Sequence, residues 1–445
     1  MLFQHNARSG KPVAFMLAVF VAIGLAIAQP VDAGTLEPGS SEPFGTFNNV
    51  DYARHTGRFT GETALGAFDV PFEFVVPSDP SQGNGIVLFE PPHWFFGPFG
   101  RDLLLGRDFV FDSGFSYAAV GWSNDGLSVL DPTATPIILA GEEVDPGVPP
   151  AEVDDVVNDV EILVQFVNAL KADPQAIAIA GNFRALYSFG ASQTSAAQLQ
   201  VLLGPEGQGL FDFSLLALRP WPEPFPELFD RLDGEFELPS GIGRTIFVNT
   251  EAELILSEAE QFRSAAENPN NRLYEIAGAP HFPQPPPLNP LDYFPVIRAA
   301  FRAGDAWVRW GVEPPSSALI SSGASGIDAI YGFETGIERD FNGNALGGIR
   351  LPPVELGRAL FIAVNFVVPI PGFDSFLFGL WVDLQCEPLP DGSVRFPNHG
   401  QYLDAVEAQA EMLSAQRYVL ADDVGRIVSR AARTNVGQRG SCPEQ

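Results

Sequence analysis

Ala185-Leu-Tyr-Ser-Phe-Gly-Ala-Ser-Gln-Thr-Ser-Ala-Ala-Gln-Leu-Gln-Val-Leu-Leu-Gly204 runs from a short apolar segment, through a turn of small residues, into helical spacing. Ser192 stands at the join. A strand, a sharp turn and a helix in this order lift a serine hydroxyl clear of the carboxyl edge of a sheet and aim the next backbone N–H, here that of Gln193, at a developing oxyanion. Gly190 is the small residue two before the serine, and Thr194 stands where G-x-S-x-G has its second glycine. That departure leaves a second reading open, a serine capping an ordinary helix.

A serine nucleophile needs a base within hydrogen-bond reach and a carboxylate to orient that base. Beyond the N-terminal leader the histidines are His55, His93, His281 and His399. His281 is the best base, because it follows a late apolar strand in the loop Gly278-Ala-Pro-His281; a structural loop histidine is the alternative. For the acid, Glu251 and Glu253 both follow the strand Arg244–Thr250. Placing Thr250 at the glycine of a Gly-x-x-Asp turn selects Glu253, with Glu251 as the alternative. The second oxyanion donor is expected from Pro91-Pro-His-Trp-Phe-Phe-Gly97, as the backbone N–H of His93 or Trp94, since proline has none to give. His93 lying over the pocket as a functional side chain is the other reading.

Charge narrows the partners. With 55 acidic against 25 basic side chains and a formal net charge of −30, the chain repels phosphate backbones, so no nucleic-acid partner is expected. Only Lys11 and Lys171 are lysines, which removes P-loop chemistry, and no ligand cluster suggests zinc; no metal or other cofactor is expected. Arg8 and Lys11 precede an apolar run from Val13 to Ala28 and then small residues, the pattern of a signal peptide over residues 1–33, with an uncleaved anchor as the alternative. The mature chain is therefore expected to be secreted or periplasmic and to have no stable membrane insertion. Cys386 and Cys442 suggest one disulfide in such a compartment.

Residues 34–49 are rich in Gly, Pro and Ser and read as loose, with one domain expected over 50–440. A leading hairpin is expected around Arg58–Gly61 and Ala67–Pro77. Buried strands follow at Asn84–Glu90, Ser116–Ser123, Phe211–Leu218, Arg244–Thr250 and Leu273–His281. Helices are expected at Val153–Lys171, Leu291–Arg309 and Asn398–Ala432. Strands alternating with helices describe an α/β architecture with a mostly parallel sheet, and 314–390 reads as irregular decoration near the site.

Several stretches together resemble the α/β-hydrolase-domain proteins that carry G-x-S-Q-[S/T]. They are Asn84-Gly85 before an apolar strand, Gly190-Ala-Ser-Gln-Thr194, Thr250-Glu-Ala-Glu253, Glu275 to His281, Ala306-Trp-Val-Arg309 with Pro314-Pro315, and Gly347-Gly-Ile-Arg350. The resemblance implies an α/β-hydrolase fold, the chain order serine, acid, histidine, and a serine esterase acting on a small-molecule ester. The 37 phenylalanines, and loop aromatics Trp94, Phe95, Phe96, Phe99, Trp221, Phe225 and Phe282, point to an apolar ester, with Arg350 as the one cation expected near the mouth. The rival is a binding protein for an apolar ligand whose triad has decayed, resting on Thr194.

Overall fold

Short apolar runs closed off by turn residues become the parallel strands of one nine-stranded sheet. The computed structural model describes residues 34–442 apart from 94–96, 123–136, 140–141, 145–158, 219–241, 257–262, 324–326 and 369–374. The leader, Trp94, Phe95, Phe96, Trp221 and Phe225 therefore lie outside the described residues. All the described residues belong to one unit, Asp32–Gln445.

The sheet begins with β1 (Thr35–Phe47), β2 (Val50–Thr63) and β3 (Gly66–Pro77), which are antiparallel, and continues through β4 (Ile86–Phe89) and β5 (Ser116–Val120). A separate small hairpin, β6 (Ile137–Leu139) and β7 (Glu142–Val144), intervenes. Then come β8 (Ala185–Ala191), β9 (Phe213–Ala217), β10 (Arg244–Thr250) and β11 (Asn271–Ile276). The spatial order is β1-β2-β3-β5-β4-β8-β9-β10-β11, and every pairing from β5 to β11 is parallel. The mostly parallel sheet expected from the sequence is present.

Alternate residues of β4 serve opposite layers, as a pleated strand requires. Ile86 and Leu88 join the apolar layer under α6 (Phe294–Trp310), while Val87 and Phe89 join the layer under α2 (Val160–Ala172) and α4 (Gln193–Leu203). The remaining helices are α1 (Arg107–Phe111), α3 (Pro174–Ala180), α5 (Glu251–Leu256), α7 (Pro352–Glu355), α8 (His399–Ala415) and α9 (Ala421–Ala432). The chain passes from β4 to β5 on one side, then returns past β4 to β8 on the other. That reversal opens a crevice at the carboxyl ends of β4 and β8, where ligands bind in open parallel sheets.

Three expectations need correction. Residues 34–49 are not loose, because 35–47 form the edge strand β1, paired with β2 across two register shifts at Pro38/Ser41 and Pro43/Gly45. Proline is tolerated at an edge, where its missing N–H breaks no ladder, so a composition that reads as loop is here a bulged strand. The helix over Asn398–Ala432 is two helices, because Arg417 adopts φ 66°, a left-handed conformation that ends α8. The irregular 314–390 region also does more than decorate: Ala318 and Ile349 form parallel bridges to Tyr274 and Ile276, covering the outer edge of β11. Within it β12 (Ala359–Ile362) and β13 (Leu380–Asp383) pair with each other, and Cys386 is bonded to Cys442.

Candidate active site

The turn between β8 and α4 is built from contacts that few residue types allow. Ser192 has φ 55° and ψ −127°, a conformation disfavoured for any residue with a Cβ, which costs about 1–3 kcal/mol unless the surroundings enforce it. Two neighbours enforce it. At Gly190 a Cβ would lie 2.6 Å from the Thr194 carbonyl oxygen and 2.9 Å from the Ser195 Cα, so only glycine lets strand and helix approach this closely. The Thr194 hydroxyl accepts from the Ala191 N–H at 2.8 Å and donates to the Ala191 carbonyl at 2.9 Å. Threonine at the position of the usual second glycine is thus a brace across the turn, and it gives the decayed-triad reading no support.

From this turn Ser192 reaches its partner. Its Oγ lies 2.9 Å from His281 Nε2, and His281 Nδ1 lies 2.5 Å from Glu253 Oε1. Histidine and glutamate are each 1 % exposed, so the pair is shielded from water, while Ser192 keeps 8 %. The other carboxylate oxygen of Glu253 accepts from the Thr250 N–H at 2.5 Å and the Thr250 hydroxyl at 2.7 Å. Such anchoring leaves Oε1 aimed at the imidazole. Nδ1 facing a carboxylate carries the proton, which makes Nε2 the acceptor opposite the serine.

Glu251, two residues earlier, is equally buried but turned elsewhere. It accepts from the Gly278 N–H at 2.7 Å and pairs with Arg339 at 2.9 Å. Burial raises its carboxyl above the usual carboxylate range, against the pull of Arg339 and the Gly278 N–H. Three residues that the sequence reading does not single out hold the base loop. The Tyr293 hydroxyl donates to the His281 carbonyl, Asn289 Nδ2 donates to the Gly278 carbonyl at 2.8 Å, and Arg339 carries Glu251. No local pattern marks them, since each acts across a loop or a subdomain.

Of the oxyanion candidates, Gln193 opens α4, with its backbone N–H at the positive end of that helix. The His93 N–H donates to the Gly97 carbonyl at 2.8 Å, and the Gly97 N–H returns the bond at 2.8 Å, so the expectation that His93 supplies the second N–H is corrected. The bond to the Gly97 carbonyl already uses the His93 N–H. Burial, with His281 close by, drives the His93 imidazole down to about 3. His93 is therefore neutral beside the base and does not oppose the formation of an imidazolium at His281. Of the expected wall residues, Phe282 stands with its ring 4.4 Å from that of His281 and packs edge-on against Phe99 at 5.7 Å and near Phe378 at 6.2 Å. Arg350, expected at the mouth, is paired with Asp340 and Glu355, both at 2.6 Å.

A model of the alpha/beta hydrolase domain family matches residues 74–429. The chain belongs to that family. No curated protein matches it. Among solved structures it is similar to the esterase Est22, at 14 % identity and a TM-score of 0.33, covering 55 % of this chain and 73 % of that one. It is similar also to brefeldin A esterase, described as a bacterial homologue of human hormone sensitive lipase, at 10 % identity and 0.29, covering 50 % and 68 %. A glucuronoyl esterase from Teredinibacter turnerae T7901 aligns at 16 % identity and 0.26 over 42 % of this chain, which spans 46 % of that enzyme's length. Ser192 follows β8, Glu253 stands in α5 directly after β10, and His281 lies in the loop after β11, the chain order serine, acid, histidine of the alpha/beta hydrolase fold.

A cleft among the described residues lies elsewhere. Its volume is about 1730 Å³ and none of Ser192, Glu253 or His281 lines it. Hydrogen bonding and strain identify the chemistry better than size does.

Proposed function

We propose that this alpha/beta hydrolase is an exported serine esterase. The observation that carries the reading is the unbroken row from Glu253 through His281 to Ser192, at 2.5 Å and 2.9 Å. Ser192 Oγ attacks the acyl carbon while His281 Nε2 takes its proton, and the charge formed on the imidazole is balanced by Glu253. The carbonyl oxygen becomes an oxyanion facing the Gln193 N–H, with Trp94 as the second donor from the loop after β4. Collapse expels the alcohol, which receives the proton from His281 and leaves an acyl-serine. Water, deprotonated by the same histidine, attacks that ester and releases the carboxylate.

The substrate proposed is a small neutral ester with an apolar acyl or alcohol part. Phe99, Phe282 and Phe378 beside the base support it, because apolar area removed from water contributes roughly 25 cal/mol per Å². Export is supported by the apolar N-terminal run from Val13 to Ala28 and by the Cys386–Cys442 bond, which persists in oxidising compartments.

A fluorophosphonate probe should label Ser192, and Ser192→Ala should abolish both labelling and hydrolysis of p-nitrophenyl esters. Folded protein that hydrolyses these esters equally well without Ser192 would overturn the mechanism. A kcat/KM that falls with acyl length would overturn the choice of substrate alone.

A further inference from the structure

The large cleft runs along one face of α6. Arg298, Arg302, Asp305 and Arg309 recur along that face at helical spacing, the segment around α1 forms one wall, and α9 with the α7 region forms the other. Among the described residues seven arginines and seven aspartates line it, so the cleft is close to neutral in a chain whose formal net charge is −30.

Six of these arginines are already neutralised. Arg107 pairs with Asp102, Arg298 and Arg426 with Asp423, Arg309 with Asp305, Arg358 with Asp383 and Arg430 with Asp292. Arg302 differs. Its guanidinium lies 4.6 Å from the centre of the Phe109 ring and donates to the Ser113 hydroxyl, and among the described residues no carboxylate stands at ion-pair distance from it. Burial lowers its proton affinity below the ordinary arginine value, outweighing the more distant Asp305 and Asp422. A half-buried cation in this condition is stabilised by any anion that can reach it. The planar group stacked on Phe109 keeps its edge for a carboxylate, which it can bind through two parallel N–H bonds.

The remaining lining limits what that anion can be. Leu105, Phe109, Phe294, Trp381 and Ile427 are apolar, and the neighbouring aspartates disfavour a second negative charge. We propose that this cleft is a binding site for an amphiphilic monocarboxylate, whose carboxylate pairs with Arg302 and whose apolar body lies between α1, α6 and α9. The site is separate from Ser192 and does not depend on the hydrolase reading.

Calorimetric titration of the mature protein with sodium decanoate, below its micelle concentration and at low salt, tests this. Decanoate should bind, added salt should weaken it, and decanol should bind poorly. Arg302→Gln should raise Kd by about tenfold or more, and Arg302→Lys, which keeps the charge but loses the planar fork and the stack on Phe109, should recover only part of that loss. Ile427→Glu, which adds a like charge to the wall and leaves Arg302 in place, should weaken binding similarly and covers the case in which Arg302→Gln does not fold. Ester hydrolysis should be unchanged in the folded variants, so decanoate binding through Arg302 in a chain without esterase activity would leave this inference standing and sink only the other. Absence of binding at millimolar decanoate, equal affinity for decanol, or wild-type affinity in the folded Arg302→Gln and Ile427→Glu proteins would overturn it.

Discussion

Replacing Thr194 tests whether the departure from a second glycine is a working part of the turn. The hydroxyl holds both polar groups of Ala191, the N–H at 2.8 Å and the carbonyl at 2.9 Å, in a place where Thr194 is only 2 % exposed. Thr194→Val keeps the shape and removes both bonds. An orphaned buried donor or acceptor costs about 1–3 kcal/mol, so with two orphaned the variant should lose roughly 2–6 kcal/mol in urea unfolding. The strained Ser192 backbone would then relax, and a displacement of the nucleophile by about 1 Å costs on the order of 10²-fold in rate. KM should move little, because the contacts of the bound ester are untouched, and kcat should carry the loss. Thr194→Ser, which keeps the hydroxyl, should stay within about threefold of the parent, a difference of under 1 kcal/mol in barrier. Thr194→Gly, which restores the commoner motif, should behave like valine and lose a further ~1 kcal/mol from glycine in a helix. Wild-type stability and kcat in Thr194→Val, or equal damage in Thr194→Ser, would refute the brace.

The two glutamates should separate cleanly. Glu253→Gln should lower kcat by about 10⁴-fold with a small change in stability, whereas Glu251→Gln removes one of the two carboxylates that hold the half-buried Arg339, leaving Asp328, and should cost roughly 1–3 kcal/mol with little change in kcat, measured by denaturant unfolding beside steady-state kinetics. Reducing the Cys386–Cys442 bond, which closes a separation of 56 residues, should cost about 4 kcal/mol in the chain-entropy model. A reduced protein with an unchanged denaturation midpoint would show that the tail is held by other contacts. Burial pushes Glu90 up to about 8 from 4.5, against the Gly100 and Arg101 N–H groups it accepts from. Because this carboxyl holds its proton more tightly when folded, its contribution to stability is full below about pH 4.5 and is lost as pH rises through about 8. Glu90→Gln should flatten that decline, and parallel stability curves for the two proteins between pH 4.5 and 8 would argue that Glu90 is ionised in the fold.

The parallel strands are legible because both faces are buried and each reads as an apolar run between turn residues. Val87, Leu88, Leu215, Val248 and Ile276 carry that signal without help from tertiary structure. Chain order and residue type are enough to single out Ser192, His281 and the two glutamates after β10, but the preference for Glu253 over Glu251 rests only on placing Thr250 at a turn glycine, since both lie on α5 and differ in which way they turn. What separates them is Arg339, 88 residues away from Glu251, and such a partner leaves no trace in local spacing. The edge strand β1 is hidden for the opposite reason, because its Gly, Pro and Ser content matches a loop and its pairing with β2 supplies the order. Arg350 illustrates the same difficulty with charge: a cation is visible in sequence, whereas Asp340 and Glu355 claiming it are visible only in the fold.

These long-range partners also explain why a chain with a complete parallel sheet carries 314–390 at all. The base loop turns at Gly278, with φ 73°, where a Cβ would come within 2.9 Å of the Phe361 Cβ. Its N–H is held by Glu251 and its carbonyl by Asn289, whose amide also donates to the Ile362 carbonyl at 3.2 Å. Glu251 in turn is fixed by Arg339, which Asp328 holds from the other side at 2.7 Å. Acid loop, base loop and the irregular region therefore share one set of buried bonds. Each bond is modest alone, about 0.5–1.5 kcal/mol when neutral, but together they fix a histidine that must meet both Ser192 and Glu253 within a few tenths of an ångström. The irregular region that covers the β11 edge is thus the same region that sets the position of the base.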